Sequence, residues 1–177
     1  MPQQDNRIRY LVLSGILTAL ALALSLIDTA VSSLLAFLPG FKLGLANIVS
    51  LFALYYMGLP WALLICIVRC LLGAVFAGQI TMFLFSVLGG VGSLLVMRAF
   101  RSRLSILKVS MCGGVTHNLL QLMTSALITA TGSVIVYLPV LIVLGTVTGF
   151  LMGWICALVF RRLPPKWTSP VLRTSLN

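Results

Sequence analysis

The stretch P-G-F-K-L-G-L-A-N-I-V-S-L-F-A-L-Y-Y-M-G-L-P-W-A-L-L-I-C-I-V-R-C-L-L-G, Pro39 to Gly73, decides how the chain is read. Most of it is apolar enough to sit in lipid, yet it carries Lys42 at its start, Asn47 a turn later and Arg69 deep in its second half. A charge at the centre of a membrane helix costs roughly 2.5–3.5 kcal/mol on insertion scales, so such a residue faces protein or a water-filled site rather than lipid. The stretch therefore reads as half of a binding pocket, and the rest of the chain as the bundle that holds it.

Composition agrees. The 177 residues are 60% hydrophobic and 8% charged, against about 45–50% and about 25% in soluble domains. The chain reads as a single all-α integral membrane domain with no soluble domain. Its formal charge is +10, with Asp5 and Asp28 the sole acids. In a soluble protein that balance would suggest nucleic acid; here the basic residues lie at span ends, as cytoplasmic loops require, and no nucleic-acid partner is expected. Cys66, Cys70, Cys112 and Cys156 all fall inside apolar runs and read as structural. They make neither a disulfide framework nor a metal site.

Working outward, six spans are expected at about 10–27, 43–57, 60–77, 80–97, 109–130 and 136–160. The first run is longer than the apolar core of a signal peptide and fits a membrane helix. Asp28 is expected to end it. Val31 to Leu38 is too short to cross a bilayer and reads as a hydrophobic loop or half-helix stopped by Pro39-Gly40. Gly58 and Pro60 predict a tight turn, Thr131-Gly132-Ser133 another, and the residues from Arg161 onward a polar tail. Six spans place both termini on one side. That side would receive Arg7, Arg9, Arg98, Arg101, Arg103, Lys108, Arg161, Arg162, Lys166 and Arg173, and the other side Lys42 alone. The positive-inside rule then predicts cytoplasmic termini in a bacterial inner membrane.

Small residues at every fourth position mark close helix contacts in lipid. The first span carries Gly15, Ala19 and Ala23, the fourth Ser86, Gly89, Gly90 and Ser93, and the sixth Gly145, Gly149 and Gly153. Six spans do not need two long stripes for internal packing, so one is expected to dock a partner, and the first-span stripe is expected to face outward.

The fifth span adds His117, Asn118 and Gln121, which spacing puts near one helix face. Arg69 and His117 fall at matching depth, with Asn47 and Lys42 nearer the outer mouth. Arg69 offers a planar fork of donors, and Asp28 is expected near the outer surface rather than beside it. A cation-lined polar pocket suits a small molecule bearing a carboxylate, phosphate or diphosphate. Thr116, Ser86 and Tyr55 are candidate hydroxyls. No Gly-x4-Gly-Lys-Ser/Thr nucleotide loop and no aspartate cluster for magnesium occurs, and two acids leave almost no carboxylate acid–base chemistry. No catalytic residue, metal or cofactor is expected.

At P-G-F-K-L-G-L-A-N-I-V (Pro39 to Val49), I-V-R-C-L-L-G (Ile67 to Gly73) and H-N-L-L-Q (His117 to Gln121), the chain resembles a bacterial membrane family. That family is labelled both heptaprenyl diphosphate synthase component I and Gx transporter, and the likeness runs from about residue 7 to about 160. The family is in turn similar to substrate-binding S subunits of energy-coupling-factor vitamin transporters. This resemblance implies a six-helix bundle with a pocket toward the outer face. It also implies a transmembrane coupling subunit with ATPases, docked on the first span where Gly15, Ala19 and Ala23 match the family's small-residue motif. Of the two labels, the missing aspartate motifs favour a transporter component over a prenyl diphosphate synthase. A non-catalytic membrane subunit associated with polyprenyl diphosphate synthesis is the second reading.

Overall fold

A computed structural model describes residues 2–34, 44–130 and 132–163. Among them are six α-helices and one short 3-10 helix, with no strand. The helices are α1 (Pro2–Leu34), α2 (Ala46–Tyr56), α3 (Leu59–Ala77), α4 (Ile80–Phe100), α5 (Ile106–Thr129) and α6 (Leu138–Arg162), with the 3-10 turn Gly132–Tyr137 before α6. Lys42, Thr131, Pro39-Gly40 and the tail containing Lys166 and Arg173 lie outside the described residues.

The punctuation follows the sequence. Met57 and Gly58 both donate their N–H to Ala53 O, closing α2, and Gly58 then turns at φ 92°, a conformation open to glycine at little steric cost. Pro60 sits in the first turn of α3, where its missing N–H is no loss. The first helix departs from expectation. Asp28 does not end it: α1 runs on through Asp28 to Leu34. No proline or glycine interrupts the chain between Gly15 and Pro39, and the Asp28 carboxylate finds a tertiary partner that leaves the helix intact.

Four helical segments are long and apolar enough to cross a membrane: Arg7–Val31, Leu59–Ala77, Ile80–Phe100 and Ile135–Arg162. The remaining two differ for identifiable reasons. α5 spans 24 residues but carries His117, Asn118 and Gln121. α2 has 11 residues, about 16 Å of helix against a hydrocarbon core of about 30 Å. It needs little contact with lipid, because seven of its residues are buried. α1, α3, α4 and α6 all pack on it.

Successive helices alternate in direction, and side-chain contacts fix which ends meet. Tyr10 of α1 lies 5.9 Å from Trp61 of α3, ring centre to ring centre. Phe52 of α2 stacks on Phe160 of α6 at 4.9 Å. Arg101, just past α4, donates to Leu54 O of α2 at 2.9 Å and lies over the Tyr55 ring. That places a cation at a helix C-terminus whose carbonyls lack helical partners. One end of the bundle thus gathers Arg7, Arg9, Arg98, Arg101, Arg103, Lys108, Arg161 and Arg162. The apolar core lies toward this end, with Leu51, Leu54, Ile65, Leu94, Met97 and Phe160 fully enclosed.

The three small-residue faces have different fates. On α6 the stripe is internal: a Cβ at Gly149 would lie 2.7 Å from Ser110 O, and one at Gly153 2.8 Å from Ser110 Cβ, both on α5. On α4, Gly89, Gly90 and Ser93 are buried. On α1 the buried stripe is instead Ser14, Leu17, Ala21 and Asp28. Gly15, Ala19 and Ala23 are exposed, and a Cβ at Gly15 would meet nothing within 4 Å.

Candidate functional site

The half of the bundle away from the basic end holds a small polar cavity of about 10 Å³, room for about one water. Five helices and the chain leading into α2 build it. From α1 come Ser25 and Asp28, one helical turn apart; from the start of α2, Gly44, Ala46 and Asn47; from α3, Arg69; from α4, Ser86; from α5, His117 and Gln121. Arg69 lies ten residues into α3 and His117 eleven into α5, so each is about 15–17 Å from the basic end of its helix.

Burial is nearly complete. Arg69 is 4% exposed and Gln121 2%. The Arg69 guanidinium donates Nη1 to Ser25 Oγ at 3.4 Å and Nη2 to Cys66 Sγ at 3.9 Å. Both contacts are long. Among the described residues its Nε has no hydrogen-bond partner, and neither has Gln121 Oε1. A buried polar group left without a partner costs about 1–3 kcal/mol, more when charged.

Asp28 sits differently from expectation. It is 4% exposed and lines the same cavity as Arg69, rather than standing apart near the outer surface. Its Oδ2 accepts the Gly44 N–H at 2.9 Å. Gly44 has φ 73°, a left-handed conformation that glycine adopts readily, and this aims its N–H at α1. The carboxylate thus ties α1 to the N-terminus of α2, where the helix dipole favours an anion. The signal for it was present: an acid inside an apolar run is a functional candidate by default. Ser25, one turn earlier on the same face, follows from it.

Two glycines of α4 bring the remaining groups together. A Cβ at Gly89 would lie 2.9 Å from His117 Nδ1 and 3.2 Å from Gln121 Cγ. One at Gly90 would lie 3.4 Å from Arg69 Nη2. α4 is therefore pressed against the side chains of α3 and α5 that line the cavity.

Asn118 does not line it. Its Nδ2 donates to Leu141 O of α6 at 3.2 Å. One residue is 100° of helix, so His117 and Gln121 share a face while Asn118 turns toward the neighbouring helix. Thr116 Oγ1 donates to Cys112 O within its own helix, and Tyr55 lies under Arg101 at the basic end. Of the three hydroxyls considered, Ser86 alone lines the cavity. Lys42 lies outside the described residues.

These features define a multi-helix membrane protein with a polar cavity buried in its interior. The chain belongs to the heptaprenyl diphosphate synthase component I family, whose family model matches residues 17–159. No curated protein and no solved structure matches it.

Proposed function

We propose that the chain is the substrate-binding membrane component of a small-molecule transporter, and that its ligand places an anionic group against Arg69. The observation that carries this reading is the pair of unmet groups, Arg69 Nε and Gln121 Oε1, on buried side chains that line one cavity. A ligand, rather than the fold, would satisfy the two: its anionic group would accept from Arg69 Nε, as a guanidinium recognises carboxylate or phosphate through paired hydrogen bonds, and a hydroxyl or N–H on it would donate to Gln121 Oε1. Asn47 and His117 complete the lining of the ligand site. Asn118 acts on it indirectly, by fixing α5 against α6.

On this reading six helices span the membrane, α2 by the shortest path and shielded by its neighbours. The basic end faces the cytoplasm of a bacterial cell by the positive-inside rule. Exposure of Gly15, Ala19 and Ala23, against burial of the α6 stripe, supports docking of a transmembrane coupling subunit on α1. Transport energy then comes from that partner's ATPases, since this chain has no nucleotide loop. Membership of the family favours a second reading, a non-catalytic subunit associated with polyprenyl diphosphate synthesis. A diphosphate would suit Arg69, while two acids in the whole chain are too few for the metal-binding aspartates of a synthase.

Native mass spectrometry of the gently solubilised protein tests the site. A small molecule should accompany wild type and be lost from Arg69→Ala. A ligand retained at full occupancy in Arg69→Ala would overturn the assignment.

A further inference from the structure

The polar cavity is not the only space that Arg69 reaches. Ser25, Arg69 and Ser86 also line a larger cleft of about 100 Å³, open along one side and so able to seat part of a small molecule rather than enclose one. The cleft follows α3 from Arg69 to Ala77, eight residues or about 12 Å of helix, with α1 and α4 forming its other walls. Its character changes along the way. At the Arg69 end the three shared side chains are polar. Farther out Thr29 is the one polar side chain, and the lining is otherwise Leu26, Phe76 and Met82 with the small residues Gly73, Ala74 and Ala77.

At the rim, Leu26 is 49% exposed and Phe76 70%, on a surface that in a membrane faces lipid. Ala74 is buried against the neighbouring helices, while Gly73 leaves room beside α1. A Cβ at Gly73 would meet Leu22 Cδ1 at an ordinary 3.7 Å, unlike the tight backbone contacts at Gly149.

Resting on the reading of Arg69 as an anion site, we propose that the ligand is an amphiphile. Its carboxylate or phosphate head lies at Arg69, and its short alkyl or aromatic body lies in the cleft between α1, α3 and α4. A bare inorganic anion would leave the cleft unused. A ligand polar throughout would set hydroxyls against Leu26, Phe76 and Met82 without partners, which costs more than it gains. An amphiphile satisfies the guanidinium at one end and covers apolar surface at the other.

The full chain in neutral phosphatidylcholine nanodiscs is titrated with inorganic phosphate and with butyl, hexyl and octyl phosphate. A parallel series uses acetate, hexanoate and octanoate. In the series whose head group fits, affinity should rise about threefold to fourfold for each methylene buried. Arg69→Ala and the bulk-retaining Arg69→Met should each lose it by about 30-fold or more. Ala77→Phe, a change at an exposed position on the rim, should flatten the chain-length dependence in an otherwise stable protein. If inorganic phosphate or acetate binds as tightly as its alkyl homologues and is lost in both Arg69 variants, the anion site stands and the amphiphile is wrong. Chain-length dependence that survives both Arg69 variants is partition into the bilayer, and it overturns the anion site as well. Failure of every probe to bind does the same.

Discussion

Replacing Arg69 with methionine should make the empty protein more stable. The side chain is 4% exposed, and its two acceptors, a serine hydroxyl at 3.4 Å and a thiol at 3.9 Å, are weak. A buried charge carries a desolvation cost of several kcal/mol, which excellent geometry and full hydrogen bonding are needed to offset. Among the described residues Nε has no partner, so the offset is incomplete. Methionine has similar length, fills irregular gaps and needs no hydrogen bond. Exchanges of buried ionic groups for apolar ones of similar volume range from neutral to about 4 kcal/mol stabilising.

For a chain of this size each kcal/mol moves Tm by about 2–4 °C, so a rise of several degrees is expected from thermal unfolding in mild detergent. Ligand stabilisation should vanish in the same variant. Asp28 is the control, because it lines the same cavity. Its carboxylate is held by the Gly44 N–H at the start of α2, so a double-mutant cycle of Asp28→Asn with Arg69→Met should give coupling below about 1 kcal/mol. If Arg69→Met instead loses about 3–5 kcal/mol, the signature of a broken buried pair, the arginine is a structural counter-ion and the ligand reading fails.

Three further outcomes follow from the same structure. Arg103→Cys, at an exposed position that avoids the Arg101 bond to Leu54, should be labelled by membrane-impermeant thiol reagents only after the cells are opened; labelling of intact cells would reverse the orientation. Ala19→Leu with Ala23→Leu should leave Tm unchanged and abolish co-purification of a partner, whereas Gly149→Leu, aimed at the Ser110 and Met111 backbone, should prevent folding. Unfolding of the α1 double variant would make its stripe internal packing. The purified chain, given isopentenyl and allylic diphosphates with magnesium, should form no polyprenyl product; steady synthesis would make it an enzyme.

Helix ends are most legible in the sequence where local chemistry sets them. The turn at Gly58-Pro60 and the basic segment from Arg98 to Lys108 mark boundaries that need no knowledge of neighbours. The sequence was less informative wherever the answer depended on which helix stands opposite. Gly15-x3-Ala19-x3-Ala23 and Gly145-x3-Gly149-x3-Gly153 have the same spacing, yet the first is exposed and the second pressed on α5. His117, Asn118 and Gln121 fall near one side of a helical wheel, but α4 faces the first and third and α6 the second. Asp28 was read as a helix end because an acid in an apolar run suggests a boundary. Its partner, the Gly44 N–H sixteen residues away, is a tertiary contact that no local pattern announces.

The short second helix explains why apolar core and polar cavity can coexist in so small a chain. A full-length α2 would fill the bundle axis from end to end with side chains. At 11 residues it fills the basic half, where Leu51, Leu54 and Phe52 meet the other helices, and its N-terminus opens into the interior. Backbone N–H groups at such a terminus lack helical acceptors, so the space beyond it must be polar. Asp28 answers Gly44, and Asn47 lines the wall beside it.

Arg69 stands at the boundary between the two halves. Cys66, one turn toward the basic end, belongs to the packed core, while Ser25 across the interface belongs to the cavity. The rigid apolar half thereby fixes the depth of a charged group whose surroundings are left incompletely satisfied. Natural proteins tolerate that arrangement where binding benefits from it, with stability lost at the site and supplied by packing elsewhere.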